Sequence, residues 1–393
     1  MRDVAVIGVG MHPWGKFANK TFVDLGVEAI LNALKDASME WKDIQAMVSG
    51  CFVWDGVGGM LSGHSVAAVM GETGIPITNV FNVCATATSS FRTAYQIVAS
   101  GEQDICLALG TDMSPTGFLP ILGGANPTDC DYLRWKMLGI TNPGYWALEC
   151  RKRMERYGTT ERDLARAKVA ASKNGALNPN ALYRKVYDEE EVLNSPMVAD
   201  PLRLYMICAT RDGAVATILC SAEVAKKYTS KPVMIAGVGL GSALCGDPTA
   251  RLGLLAAPPE TTVPMLSESY MSSQMAYRIS GIGPDDIDLV ELPDNSSWHY
   301  LQYLETLGFC GPGEAEQLLA SGETALTGKI PVNTSGGMAS FGEAISAQGL
   351  LQIYEVVKQL RGECGERQVQ GAKVGLAQTY GMLGNSAAAV LKV

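Results

Sequence analysis

Several things are missing from this 393-residue chain. None of its ten cysteines forms a C-x-x-C pair, which argues against a zinc site within the chain and against a disulfide framework. No apolar run reaches the roughly 18 residues that a membrane-spanning helix needs. Gly8 and Gly10 follow an apolar run, but the third glycine of a dinucleotide fingerprint is absent. The Gly-rich segment 53–63 has no lysine and so is no P-loop. Positive charge is not in excess: the net charge is −9, which argues against a nucleic-acid binder. An anionic cofactor would need a local cluster of Lys or Arg. Histidine is scarce, with only His12, His64 and His299.

What is present suits a large α/β body. Hydrophobic residues make up 47% of the chain, enough for a substantial core in two domains or one duplicated fold. Val4–Val9 reads as a central strand rather than a signal peptide, because no cleavage site follows it. A reducing cytoplasm is the simplest address. Thr21–Ser38 is patterned as an amphipathic helix. Ile44–Cys51 and Asp104–Gly110 read as buried strands, and segment 53–63 looks mobile. From Met113 to Pro201 the pattern changes to Pro, Gly, Trp and Tyr mixed with charged helices, Glu149–Tyr157 and Thr160–Asn174, the second capped by Thr159 or Thr160. Arg151, Lys152, Arg153, Arg156, Arg162, Arg166, Lys168 and Lys173 crowd this stretch. Most are expected to form a solvated face, and a minority to meet phosphates. The stretch is read as a long insertion.

Asn82-Val83-Cys84-Ala85-Thr86 lies between the β-prone Ile77–Phe81 and a helix over Phe91–Ser100. Cys84 is thus expected where a strand turns into a helix. Unpaired N–H groups and partial positive charge there favour a thiolate, and hence a nucleophile near neutral pH. A buried structural cysteine is the competing reading. The second part of the chain echoes the first. Val233–Gly239 resembles Val4–Gly10, and Pro331–Gly337 precedes a helix through about Leu360, as Asn79–Cys84 precedes the first. Lys373–Gln378 and Ala387–Val393 read as closing strands. Two similar halves, 1–230 and 231–393, are expected, with their two helices side by side and one site between them.

Taken together, several stretches resemble the thiolase superfamily, in particular its sterol-carrier-protein-type branch. They are Asn82-Val83-Cys84 with Gly101-x-x-Asp104, the Asp212-Gly213-Ala214 turn, Pro331-Val332-Asn333-x-Ser335-Gly336-Gly337, Leu360–Val369 and the Gly381–Gly384 loop. The resemblance covers almost the whole chain. It implies a duplicated five-layer αβαβα fold, a homodimer, coenzyme A thioesters as substrates and Cys84 as the acyl-carrying nucleophile. It also implies that the insertion, about 113–205, is the loop domain that holds coenzyme A.

The departures concern proton carriers. Gly342-Glu343-Ala344 stands where thiolases usually carry Gly-His-Pro, and Pro293-Asp294-Asn295-Ser296 where the branch carries His-Asp-Cys-Phe. In place of a C-terminal acid/base Cys or His the chain reads Gln378-Thr379-Tyr380-Gly381-Met382. Glu343 is therefore expected to take the thiol proton, with a pKa raised by burial; a helix N-terminal acid satisfying the dipole is the alternative. The backbone N–H groups of Cys84 and Gly381 are expected to hold the tetrahedral oxyanion. Asn295 or Ser296 would hold the thioester oxygen, and Tyr380 would donate a proton. His299 is read as a surface or packing residue. The branch includes members that work with a small accessory subunit combining a zinc ribbon and an oligonucleotide-type (OB) barrel. That implies a heterotetramer, with zinc only in the partner. It also points to a bulky or aromatic substrate such as 2-benzoylsuccinyl-CoA, giving benzoyl-CoA and succinyl-CoA. A retro-aldolase using Tyr380 and a non-catalytic scaffold are the competing functions.

Overall fold

Strand β1 (Val4–Gly15) is buried along nearly its whole length, as a continuous apolar run demands. The computed structural model describes residues 2–393 except 53, 55, 118–127, 129, 230, 252–257, 259 and 260, with the backbone alone at 130–132. The other strands are β2 (Ala46–Gly50), β3 (Ile77–Asn79), β4 (Ile105–Met113), β5 (Met197–Ala199), β6 (Leu202–Arg203), β7 (Asp212–Ser221), β8 (Val233–Ser242), β9 (Leu289–Glu291), β10 (Val374–Gly381) and β11 (Asn385–Lys392). Nine of them form one sheet in the order β3-β2-β4-β7-β1-β8-β11-β10-β9, and β5 and β6 form a separate ribbon.

The sheet has a seam. β1 meets β8 only at Ala5–Met234 and Val6–Val233, whereas β1 and β7 pair along most of their length. Outward from that seam the order is β1-β7-β4-β2-β3 on one side and β8-β11-β10-β9 on the other. On both sides the first two pairings are antiparallel and the next is parallel. Val332 bridges Val290 of β9 in parallel, where β3 pairs β2 in parallel on the first side. The weak echo in the letters is thus a strand-by-strand repeat.

The helices complete the layers. Helix Phe22–Asp36 packs on β1, β7 and β4, and helix Ser267–Ser280 packs on β8, β11 and β10. Both approaches need glycine in the strand beneath: a Cβ on Gly10 would overlap Ala33 N and Ala29 O, and one on Gly239 would overlap Ser272 O. That is the physical reason both apolar runs end in glycines. Helices Thr86–Ser100 and Gln348–Leu360 lie against each other and touch strands of both halves. At their crossing Gly349 leaves no room for a side chain beside Thr88. Gln348–Leu360 is buried on nearly every face, as a middle-layer helix must be. The layers read αβαβα.

Local expectations hold with small shifts. Thr21 caps its helix with Asp24 in a capping box, and Thr160, not Thr159, does the same with Asp163. Segment 53–63 looked mobile, but it holds the helix Gly56–Met60 and the start of Ser62–Met70; residues 53 and 55 lie outside the described residues. Between β4 and β7 come helices Cys130–Leu138, Asn142–Tyr157, Glu161–Ala176 and Glu189–Leu193 and the β5–β6 ribbon; part of the expected 113–205 insertion, 118–127, lies outside the described residues. Most of its basic residues are spent within the chain. Arg153 is buried against Glu305 and Glu316, at 2.5 and 2.7 Å. Arg162 reaches Glu189 and Glu190, Arg166 reaches Asp163 and Glu189, and Arg151 reaches Asp200. No helix among the described residues is long and apolar enough to cross a membrane.

The motif Leu360–Val369 also has a structural role. Arg367 grips Glu355 with two hydrogen bonds of 3.0 Å, and Thr334 links Glu355 to Glu291. All four side chains are buried. Burial and the neighbouring Glu355 push the Glu291 carboxyl up to about 8. Arg367→Met leaves Glu355 buried without its counter-charge, so we expect a loss of roughly 3–5 kcal/mol, read as a lower denaturation midpoint in urea. An unshifted midpoint would mean that the pair contributes nothing.

Candidate active site

Val83 introduces the first middle helix with φ at 49°, a left-handed conformation that is strained for a β-branched residue. The equivalent turn in the second half has Asn333 at φ 47°, a residue that tolerates it. The Val83 turn places Cys84 two residues ahead of the helix proper, which starts at Thr86. Cys84 is 4% exposed and packs with Phe52, Val83 and Ile345, flanked by Trp54 and Met382. Trp54 stacks on Phe52 at 4.6 Å.

The second middle helix differs from its expected course, and the difference makes the site. The helix begun at Gly337 stops at Phe341, and a new one starts at Gln348. Gly342 turns out of it with φ at 81°, and Glu343 sits in the gap. Its N–H donates to Ala209 O at 2.8 Å, and its C=O accepts from Arg211 N at 2.8 Å. Its side chain is turned inward, 5% exposed. Cys84 Sγ lies 3.5 Å from Oε1 and donates to it. On the far oxygen, Oε2, lies Cys208 Sγ at 3.7 Å. One carboxylate thus holds two thiols.

Burial raises the Glu343 pKa, while the thiols of Cys84 and Cys208 and the nearby Asn295 amide pull it back by favouring the charged form. The helix-terminus argument for an ionised Cys84 does not hold. Burial pushes this thiol well up, and the Glu343 charge pushes the same way; only a hydrogen bond from the Met382 backbone opposes them. The carboxylate therefore does what the helix end was expected to do: it offers the thiol proton a place to go.

The other expected residues converge on this pair. A Cβ on Gly381 would lie 3.0 Å from the backbone N of Cys84, so the two backbones are in contact. Asn295 is 1% exposed and faces both Glu343 and Cys208. Neither its amide N nor its amide O has a partner in hydrogen-bonding geometry. Ser296 is not available: its hydroxyl caps helix Ser297–Thr306 and bonds His299 Nδ1 at 2.8 Å. Tyr380 is the penultimate residue of β10 and lies beside Tyr145. Burial first, then Tyr145, Tyr303, Glu343 and Cys84, push its phenol well above the ordinary value, which keeps it a neutral donor. His299 is a packing residue and not a surface one: its imidazole is fully buried and stacked on Tyr380 at 5.1 Å. Burial lowers its pKa well below 6.5, so it is neutral.

A cavity of about 350 Å³ opens beside the pair, lined by Glu343, Cys208, Trp146, Lys168, Tyr183 and Arg211 among others. Cys84 lies behind the Glu343 carboxylate rather than in the cavity wall. Lys168 is the one member of the basic crowd in that wall; it donates to Ala339 O at 2.6 Å. Burial lowers its pKa to about 8. Sequence reasoning missed Cys208. The available signal was its place four residues before the Asp212-Gly213-Ala214 turn.

Residues 4–223 match the thiolase N-terminal domain, and residues 259–392 match the thiolase C-terminal domain-like family. An acetyl-CoA acetyltransferase from Methanothermobacter thermautotrophicus is 35% identical over 394 residues, covering 99% of this chain and 98% of that one. The benzoylsuccinyl-CoA thiolase subunit BbsB from Thauera aromatica is 33% identical, covering 94% and 92%. Among solved structures, an Ltp2-ChsH2(DUF35) aldolase superposes with a TM-score of 0.85 at 27% identity, over 100% and 98% of the chains. A buried cysteine and acid between duplicated halves, inside a chain matched along both, leave one assignment: this chain belongs to the thiolase family and is an acyltransferase.

Proposed function

We propose that the chain cleaves a β-ketoacyl-CoA by thiolysis through an acyl-enzyme on Cys84. The observation that carries this reading is the 3.5 Å contact between Cys84 Sγ and the buried Glu343 carboxylate. Glu343 takes the thiol proton, and the sulfur attacks the keto carbon. The backbone N–H groups of Cys84 and Gly381 stabilise the oxyanion. Asn295, with an unpartnered amide, holds the thioester oxygen, and Tyr380 is the proton donor nearby. Coenzyme A enters over the insertion, about 113–205, and the site sits between halves 1–230 and 231–393. The substrate is bulky or aromatic: Phe52 and Trp54 pack in one cluster with Cys84, and the BbsB relative bears the name of benzoylsuccinyl-CoA. With that substrate the products are benzoyl-CoA and succinyl-CoA.

The assembly we propose is a homodimer joined by two small zinc-ribbon/OB-fold subunits, in the cytoplasm. The β3 edge is open and has exposed Val69 and Phe81 near it, a surface suited to a second copy. One structural relative is described with a DUF35 component, and another relative is named as a subunit. Full activity of the chain expressed alone, with no small protein co-purifying, would remove the accessory subunit.

The aldolase relative and the buried Tyr380 keep a retro-aldol cleavage as the second reading. Intact mass after mixing with benzoyl-CoA separates the two. Thiolysis gives one benzoyl adduct, located on Cys84 by peptide mapping; the aldol route gives none.

A further inference from the structure

Cys208 is built into the site by the backbone on both sides. Its own N–H donates to Asn295 O at 2.9 Å, and Ile207 bridges Ser296. Directly after it, Ala209 O accepts from Glu343 N and Arg211 N donates to Glu343 O, both at 2.8 Å. These pairings lace segment 207–211 between the Asn295 loop and the Glu343 turn, so the thiol is held against the carboxylate by main chain rather than by chance packing. Cys208 lines the cavity, whereas Cys84 does not. A cysteine serving only as a small hydrophobe has no need of a carboxylate at 3.7 Å. The sequence offers no His or Cys at the positions where thiolases carry a second proton carrier, and among the described residues none of the three histidines hydrogen-bonds Glu343.

We propose that Cys208 is the second proton carrier of the site, giving a proton to the α-carbon of the departing enolate and recovering it through Glu343. This rests on the Cys84 acyl-enzyme reading. At the start, Glu343 accepts the Cys84 proton, and Cys84 sulfur bonds to the keto carbon. The bond from that carbon to the α-carbon breaks, leaving acyl-Cys84 and the enolate of the product acyl-CoA. The Cys208 thiol protonates the α-carbon and becomes a thiolate. Protonated Glu343 returns a proton to Cys208. Coenzyme A then gives its thiol proton to Glu343 and attacks the acyl-Cys84 carbonyl. Cys84 leaves as thiolate and is reprotonated by Glu343. No proton is gained or lost beyond the one coenzyme A supplies to the α-carbon. Burial and the Glu343 charge keep the Cys208 thiol protonated at rest, the form a donor needs.

The two halves of the cycle can be read separately. Exchange of labelled coenzyme A into benzoyl-CoA needs Cys84 and Glu343 but no α-carbon chemistry. Wash-in of deuterium from D2O into the α-position of succinyl-CoA needs the second carrier. In the full chain, with any subunit that co-purifies, Cys208→Ser and Cys208→Ala are expected to lower deuterium wash-in by roughly 100-fold. Coenzyme A exchange should stay within about threefold of wild type, which also shows that the site is folded. Undiminished wash-in overturns the proposal, and so does an equal loss of both exchanges, the mark of a packing role. Absence of both exchanges in the wild-type protein overturns the acyl-transfer reading itself, and this inference with it.

Discussion

Cys84→Ala is expected to lower thiolysis by roughly 10⁴-fold or more, because it removes the only group that carries the acyl chain between the two half-reactions. Binding and the oxyanion contacts survive, so a small residual rate is expected, and the benzoyl adduct disappears from the mass spectrum. Cys84→Ser should do little better, since a buried alcohol gives up its proton less readily than a thiol. Stability should change little, because the residue is small and gives up only its contacts to Glu343 and the Met382 backbone. The rate of cleavage, followed as product acyl-CoA formed with and without added coenzyme A, checks this. Turnover retained in Cys84→Ala and lost in Tyr380→Phe would transfer the chemistry to the aldol route. Alkylation is a poorer guide: a thiol 4% exposed, with its pKa pushed up by burial and by Glu343, reacts slowly with iodoacetamide in an enzyme as in a scaffold. Acyl transfer from a bound thioester avoids that ambiguity, because the substrate brings the electrophile to the sulfur.

The parts of this molecule that were legible in its letters are those set by local pattern. Apolar runs ending in glycine marked β1 and β8, because a helix must come within backbone contact there. The helix that Thr21 opens showed in its apolar pattern, and the cap of the later helix lay with Thr159 or Thr160, of which Thr160 is the one that caps. The two turns before the middle helices stood out because each joins a β-prone run to a helical one; the structure adds that both take left-handed backbone, at Val83 and Asn333. What could not be read is what depends on contacts distant in sequence. The high pKa of Cys84 follows from its burial and then from a carboxylate 259 positions away, and no helix-terminus rule contains either. Cys208 gains its meaning from Asn295 and Glu343, which reach it only through tertiary backbone pairing. The break at Gly342 was hidden because an apolar 3.6-residue period continues on both sides of it. His299 was hidden for the opposite reason: a histidine beside Trp298 carries no sign of the Tyr380 ring on which it stacks.

Glu343→Gln is expected to lower turnover by roughly 100-fold or more, the usual worth of a positioned base. The amide keeps the shape and can still meet both thiols, but it cannot accept a proton from either. The pH profile gives the sharper signature. The working form is the carboxylate, and burial holds its pKa above the ordinary 4.5. The rate kcat/KM should therefore climb with pH through a value above 4.5 in the wild type, and this limb should vanish in the glutamine variant. Stability moves the other way. A carboxyl whose folded pKa exceeds its unfolded one binds its proton more tightly when folded, so stability falls as pH rises from the unfolded value through the folded one. Removing that charge should leave the variant at least as stable as wild type at neutral pH, by thermal melting. Lost activity with retained stability identifies a group kept for chemistry at the expense of the fold. Unchanged turnover in Glu343→Gln would reject Glu343 as the base. Cys84 and Cys208 would then need another acceptor, and among the described residues no other carboxylate hydrogen-bonds both of their sulfurs.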